Sequence, residues 1–140
     1  MATVNASISI ASDITDSNIS VANSSVLYKA GSTTGLDTMT SVTKRLTSTD
    51  NVDLITTGSV STTHAYVYIK NPSTDHTEYF HIHIGNAVGS GTYDDGTLPT
   101  EEIGRLYGGD WMWFPWDVDD DITIKPSVST EMVVEYQVFS

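Results

Sequence analysis

His64–Ile84 reads HAYVYIKNPSTDHTEYFHIHI, and the alternation inside this stretch decides the fold. Ala65, Val67 and Ile69 alternate with Tyr66 and Tyr68; Phe80, Ile82 and Ile84 alternate with Tyr79, His81 and His83. A period of two is the signature of a strand, because successive side chains of an extended chain point to opposite faces. Between the two runs, Asn71-Pro72-Ser73-Thr74-Asp75 is a cluster of turn formers. The stretch therefore predicts two strands, joined as a hairpin with an irregular loop.

The same alternation extends outward. Thr3–Ile10 places Val4, Ala6, Ile8 and Ile10 on one face, and Ile19 to Val21 and Val26 to Tyr28 predict one or two further short strands. Weaker runs follow at Thr40–Leu46 and Asn51–Thr56. Ile103–Tyr107 and Trp111–Phe114 flank Gly108-Gly109-Asp110, a tight turn. Asp121–Lys125 is short, and Glu131–Phe139 is apolar in part on both faces, as a central or interface strand would be. No helix longer than a turn is expected; Pro99 to Glu102 is the one place where such a turn could start. Ser and Thr are abundant while Lys, Glu and Leu are scarce, which favours strands over helices. Eight to ten short strands separated by turns predict an all-β, single-domain β-sandwich of jelly-roll type.

The 140 residues are long enough for one core without a metal or disulfide staple. Of the aromatic residues only Tyr28 precedes residue 66, and the other twelve follow. The core is thus expected in the C-terminal part. Residues 1–30 read as an extended N-terminal segment or arm with short strands, and residues 31–140 as the sandwich domain.

The absence of cysteine removes a disulfide framework, a thiol nucleophile and a Cys-ligated zinc site. Eighteen acids against six bases give a net charge of −12, which repels nucleic acid and anionic membranes and attracts basic partners or divalent cations. No apolar run is long enough to span a bilayer, and the opening MATVNASISI lacks the basic and apolar regions of a secretory signal. Neither a nucleophile elbow, a phosphate loop nor a dinucleotide-binding glycine pattern occurs, so a non-enzymatic protein is expected.

Three features could carry function. His81 and His83 share a strand face and could supply two ligands to a metal, as in a cupin-type enzyme. His64, His76 or a distant Glu would have to complete the set; the simpler reading is a polar strand face. Asp117, Asp119 and Asp121 offer hard oxygens for Ca2+ but lack the glycine and distal Glu of an EF-hand. These acids, like Asp94-Asp95-Gly96, read more simply as solvated turns, and no cofactor is required. Trp111 and Trp113 lie on one face of their strand, with Met112 and Phe114 on the other. Apolar residues on both faces predict a strand packed from two sides, in the core or at a subunit interface. Pro115 confines that strand to a sheet edge or ends its pairing, and Trp116 is the residue expected to reach a partner. The rival reading is a carbohydrate platform of Trp111, Trp113 and Trp116 with Asp117.

The segments YVYIKNPST, IGRLYGGDWMWFPW and DITIKPSVSTEMVVEYQVF, between Tyr66 and Phe139, resemble small β-sandwich structural proteins of tailed bacteriophage virions, marine types especially. The resemblance covers about half of the chain. It implies a head decoration, or cement, protein that stabilises the capsid lattice against internal DNA pressure. It further implies a homo-oligomer, for which a trimer would suit a three-fold lattice site. The protein would be made in the host cytoplasm and carried on the outer surface of the virion. Its capsid or tail contacts would rest on aromatic anchors, here Tyr107, Trp111, Trp113, Phe114, Trp116, Tyr136 and Phe139, with the N-terminal arm free to add a strand to a neighbour. A carbohydrate- or receptor-binding module of a tail fibre or appendage is the alternative.

Overall fold

The computed structural model describes residues 4–12, 19–85 and 101–140. Its ten strands are β1 (Val4–Ser12), β2 (Ile19–Leu27), β3 (Met39–Leu46), β4 (Val52–Ile55), β5 (Ala65–Lys70), β6 (Tyr79–Ile84), β7 (Glu101–Tyr107), β8 (Trp111–Trp116), β9 (Ile122–Pro126) and β10 (Met132–Phe139). A single 3-10 turn at Thr57–Ser59 is the only helical element among the described residues. Glu101 and Glu102 belong to β7, so the turn expected from Pro99 does not run through them. Pro99, Thr100 and the Asp94-Asp95-Gly96 turn lie outside the described residues.

The chain divides into two compact units, Met1–Thr38 and Met39–Ser140. In the first, β1 and β2 pair antiparallel in unbroken register from Val4↔Leu27 to Ser12↔Ile19. The short strands expected around Val21 and Val26 are one strand, because pairing along all of β1 carries the polar Asn23-Ser24-Ser25 through. A Tyr28↔Gly35 bridge and a Lys29–Asp37 ion pair of 2.8 Å close the loop after the ribbon. The Lys29 ammonium also holds the Asp37 carboxyl below its ordinary range.

The second unit is an all-β sandwich of two antiparallel four-stranded sheets, ordered β3-β10-β5-β8 and β4-β9-β6-β7. Both contribute to one core. Val67, Ile69, Trp116, Val134 and Val138 come from the first sheet; Leu54, Phe80, Ile82, Leu106, Ile122 and Ile124 come from the second. The strict alternation of β5 (Ala65, Val67 and Ile69 buried, the tyrosines not) is what burying one face demands. β10 is central in its sheet and β8 is an edge strand, the position that tolerates Pro115.

One sequence expectation fails in an instructive way. β5 and β6 are not a hairpin, and β7 and β8, joined by the expected tight turn with the Asp110 N–H donating to the Tyr107 carbonyl at 2.9 Å, likewise lie in different sheets: each pair straddles the two. The turn residues between them therefore cross the sandwich. Asn71 fixes both crossings together. Its N–H donates to the Asp110 carbonyl at 3.0 Å, its carbonyl accepts from Gly109 at 2.9 Å, and its side-chain amide donates to the Leu106 carbonyl at 3.1 Å. Asn71 is wholly buried, so these bonds replace the water it loses. Gly108 packs against the Asp75 carbonyl with no room for a Cβ, and Gly109 has φ 88°. Sequence alternation tells which way a side chain faces; it does not tell which strand sits beside it.

Candidate functional site

The registers β10–β3, β10–β5 and β5–β8 lay out the outer face of the first sheet as three rows. One row runs Pro115, Tyr66, Phe139, Met39; the next Trp113, Tyr68, Gln137, Ser41; the third Trp111, Lys70, Glu135, Thr43. Aromatic side chains concentrate toward β8. Tyr66 stacks on Trp113 with ring centroids 5.7 Å apart and planes 11° from parallel. Trp113 also meets Phe139 at 5.4 Å, Tyr68 meets Trp111 at 6.1 Å, and His64 meets Tyr66 edge-on at 5.0 Å. Trp111 is 52% exposed and Met39 61%. This is an apolar, aromatic surface open to solvent among the described residues.

The seven expected interface residues divide. Trp111, Trp113 and Phe139 lie on this face. Phe114 and Tyr136 pack against the core, and burial raises the Tyr136 phenol above its ordinary range. Trp116 is a correction: it is 3% exposed, and its indole N–H donates to the Asp120 carbonyl at 2.9 Å. Alternation continues through Pro115, so Trp116 falls on the inward side with Met112 and Phe114. β8 is accordingly packed against the core on one side only. Tyr107 sits on the other sheet, with its ring 5.0 Å from Tyr79. Tyr66 and Tyr68 complete the aromatic face, and their alternation with Ala65, Val67 and Ile69 is the sequence signal for it.

The outer face of the second sheet is polar. Its rows are Tyr107–Tyr79, then Arg105–His81–Lys125, then Glu102–His83–Thr123–Asp53. A β-bulge sets the last row. Ile82 pairs with Gly104 but His83 pairs with Glu102, leaving Ile103 as the extra residue. Without that bulge, His83 would face Ile103 and Glu102 would turn to the other side of the sheet. With it, one metal-binding atom from each of His81, His83 and Glu102 lies within 4.8 Å of the others, the one such group among the described residues.

His81 Nδ1 is 3.1 Å from Glu102 Oε1, and the two imidazoles lie 6.0 Å apart, 26° from parallel. His83 is 1% exposed. Burial pushes its pKa down to about 4; the Glu102 charge opposes this, and the charges of His81 and Lys125 reinforce it. Burial raises the Glu102 carboxyl, but the His81 hydrogen bond and the charges of His81, His83 and Arg105 outweigh it, leaving a net lowering. At neutral pH the site thus presents a neutral His83 and an ionised Glu102. Arg105 is 3.6 Å from Glu102 Oε1 and lies over the Tyr79 ring at 5.1 Å.

Neither His64 nor His76 joins the pair. His64 packs on Tyr66, and His76 Nδ1 bonds the Gly108 carbonyl at 2.8 Å. The aspartate run does not converge into a Ca2+ cage. Asp121 accepts the Thr57 N–H at 2.7 Å, and Asp117 accepts from Asp119 N–H at 3.4 Å in a turn where Val118 holds φ 63°. No helix among the described residues is long and apolar enough to cross a membrane.

The chain matches no family model and no curated protein. Among solved structures it is similar to the Yersinia pseudotuberculosis-derived mitogen, at 15% identity and a TM-score of 0.43, over 72% of this chain and 84% of that one.

Proposed function

We propose that this chain is a non-enzymatic structural protein of a tailed-bacteriophage virion, a decoration or cement protein that attaches to the capsid lattice as a homo-oligomer. The observation that carries the reading is the aromatic outer face of the β3-β10-β5-β8 sheet. Trp111, Trp113, Tyr66, Tyr68 and Phe139 are the side-chain types that anchor protein interfaces, gathered on a flat sheet surface. The net charge of −12 adds attraction to a basic lattice surface. The segments that resemble phage structural proteins include β5, β8 and β10, the strands that build this face. Such a protein works on the outer surface of the particle, by burial and shape.

Two measurements test it: a protein inventory of purified particles, and co-sedimentation of the chain with empty capsid shells. The chain is expected in the inventory, and a W111A/W113A variant is expected to lose sedimentation with shells while remaining folded. Absence from the particles ends the reading. Sedimentation velocity on the isolated chain gives the oligomer number, with a trimer expected for a three-fold site.

A second reading, a carbohydrate- or receptor-binding module of a fibre or appendage, is favoured by the half-exposed Trp111 beside Lys70 and Glu135. An aromatic platform bordered by polar groups suits a sugar ring. Quenching of tryptophan fluorescence by glycans, abolished in W111A, supports it; no response across a glycan array removes it.

A further inference from the structure

The opposite face of the sandwich carries chemistry that lattice attachment does not use. We propose that His81, His83 and Glu102 form a binding site for a borderline divalent metal ion of the zinc class, through two imidazole nitrogens and one carboxylate oxygen, the one such donor group among the described residues.

The donor set is the first argument. Two His and one carboxylate are a recurrent zinc ligand set. Topology is the second. His81 and His83 are two apart on β6, so the strand itself aims both at one side. Glu102 reaches that side only through the bulge at Ile103. Bulges re-aim side chains, and this one adds a carboxylate to two imidazoles.

Distance is the third. Bonds of about 2.0–2.1 Å arranged tetrahedrally put donors roughly 3.3 Å apart. The three donor atoms here lie within 4.8 Å. Contraction falls to His81 and Glu102, whose side chains are 20% and 38% exposed and so have room to change rotamer. His83, buried, is the fixed point.

Two cations limit the affinity. Arg105 shares the Glu102 carboxylate, and Lys125 lies opposite His81 on β9. An incoming dication must draw Glu102 away from Arg105. Hence the site is selective for ions that gain strongly from imidazole nitrogen, and weak for Ca2+ and Mg2+, which favour oxygen ligands.

The test uses the intact chain and Zn2+ alone, so it stands apart from any attachment to a particle. Calorimetric titration is expected to give one Zn2+ per chain. Co2+ as a spectroscopic substitute should show the intensified visible bands of a low-coordinate ion. H81Q and E102Q, both at surface positions, should each weaken zinc at least about 100-fold, beyond the change typical of outer-shell substitutions. R105Q should strengthen it, and D117N in the aspartate run should change nothing. The proposal is overturned if wild-type Co2+ keeps the spectrum of the aqueous ion, or if zinc binds H81Q and E102Q as it binds wild type. Loss in D117N with E102Q intact would overturn it equally. His83 variants are not needed, so a folding failure at that buried position leaves the result readable.

Discussion

The two outer faces of one sandwich invite comparison, because the same alternation of inward and outward residues generates both. On the β3-β10-β5-β8 sheet the outward positions carry Tyr66, Tyr68, Trp111, Trp113 and Phe139. On the β4-β9-β6-β7 sheet they carry His81, His83, Arg105, Lys125 and Glu102. The first surface offers area and no charge at its centre, and can gain free energy only by being covered. The second offers discrete charges and lone pairs over a few ångströms, which a small ion can satisfy and a flat apolar partner cannot. A shared core thus carries two outward surfaces of different chemistry, separated by the thickness of the sandwich.

The sharpest way to break this comparison is within β8, whose two sides alternate between core and surface. Trp116→Ala should destabilise the fold by about 3–5 kcal/mol, as expected for a large buried aromatic, with loss of its bond to Asp120 added. Trp111→Ala, half-exposed in the same strand, should stay within about 0.5 kcal/mol. Urea unfolding measures both. Equal losses would mean that Trp111 is already covered, and the open aromatic face would not exist.

Acid should strike the polar face first. His83 has its folded pKa depressed from 6.5 to about 4. Between those values the unfolded chain binds the proton and the folded chain does not, so stability is full above pH 6.5 and is lost as pH falls through about 4. The shift corresponds to roughly 3 kcal/mol of lost stability across that window. Unfolding midpoints at pH 7 and pH 4 for wild type and His83→Leu measure it. The variant should lose much less between the two, while W111A/W113A should keep the wild-type slope. An identical slope in His83→Leu would assign the acid sensitivity to carboxylates elsewhere.

A third expectation concerns the crossings that hold the two sheets in place. Gly108→Ala puts a Cβ against the Asp75 and Ser73 backbone carbonyls, atoms that cannot swing aside. A loss of about 1–3 kcal/mol is expected, as for other overpacked sites, measurable as a lowered Tm. Unchanged stability would show that the Asp75 loop yields.

How far the sequence speaks follows from these same residues. Period-two patterns placed every strand of the sandwich, Pro115 left β8 at an edge or with its pairing ended, and the apolar faces of β10 left it central or at an interface. They gave no information on strand partners, so the run from Asn71 to Asp75 reads as a hairpin loop when it is a crossing between sheets. Partner identity depends on contacts across tens of residues, such as that of Asn71 with Leu106, and no local pattern encodes it. Glu102 was hidden for a different reason. Strict alternation carried back from Leu106 puts it on the wrong face, and one extra residue at Ile103 reverses that. Trp116 was misplaced by ending the alternation at Pro115, although proline removes a donor without changing which way the next side chain points.

The smallest effect bears on the aromatic face itself. Tyr66 and Trp113 stack 11° from parallel at 5.7 Å. A double-mutant cycle with Tyr66→Ala and Trp113→Ala should return a coupling of about 0.5–1.5 kcal/mol, the range for aromatic pairs beyond simple burial. Measured on the isolated chain, that coupling reports whether the face is preorganised before any partner arrives. A rigid aromatic surface loses little side-chain entropy on binding, so preorganisation favours tight attachment. A coupling near zero would mean that the rings order only on contact, and the face would then bind more weakly than its area implies. The corresponding cycle between His81 and Glu102, run with and without Zn2+, should couple strongly only when the ion is present; coupling of the same size in both conditions would reduce that pair to a simple surface ion pair.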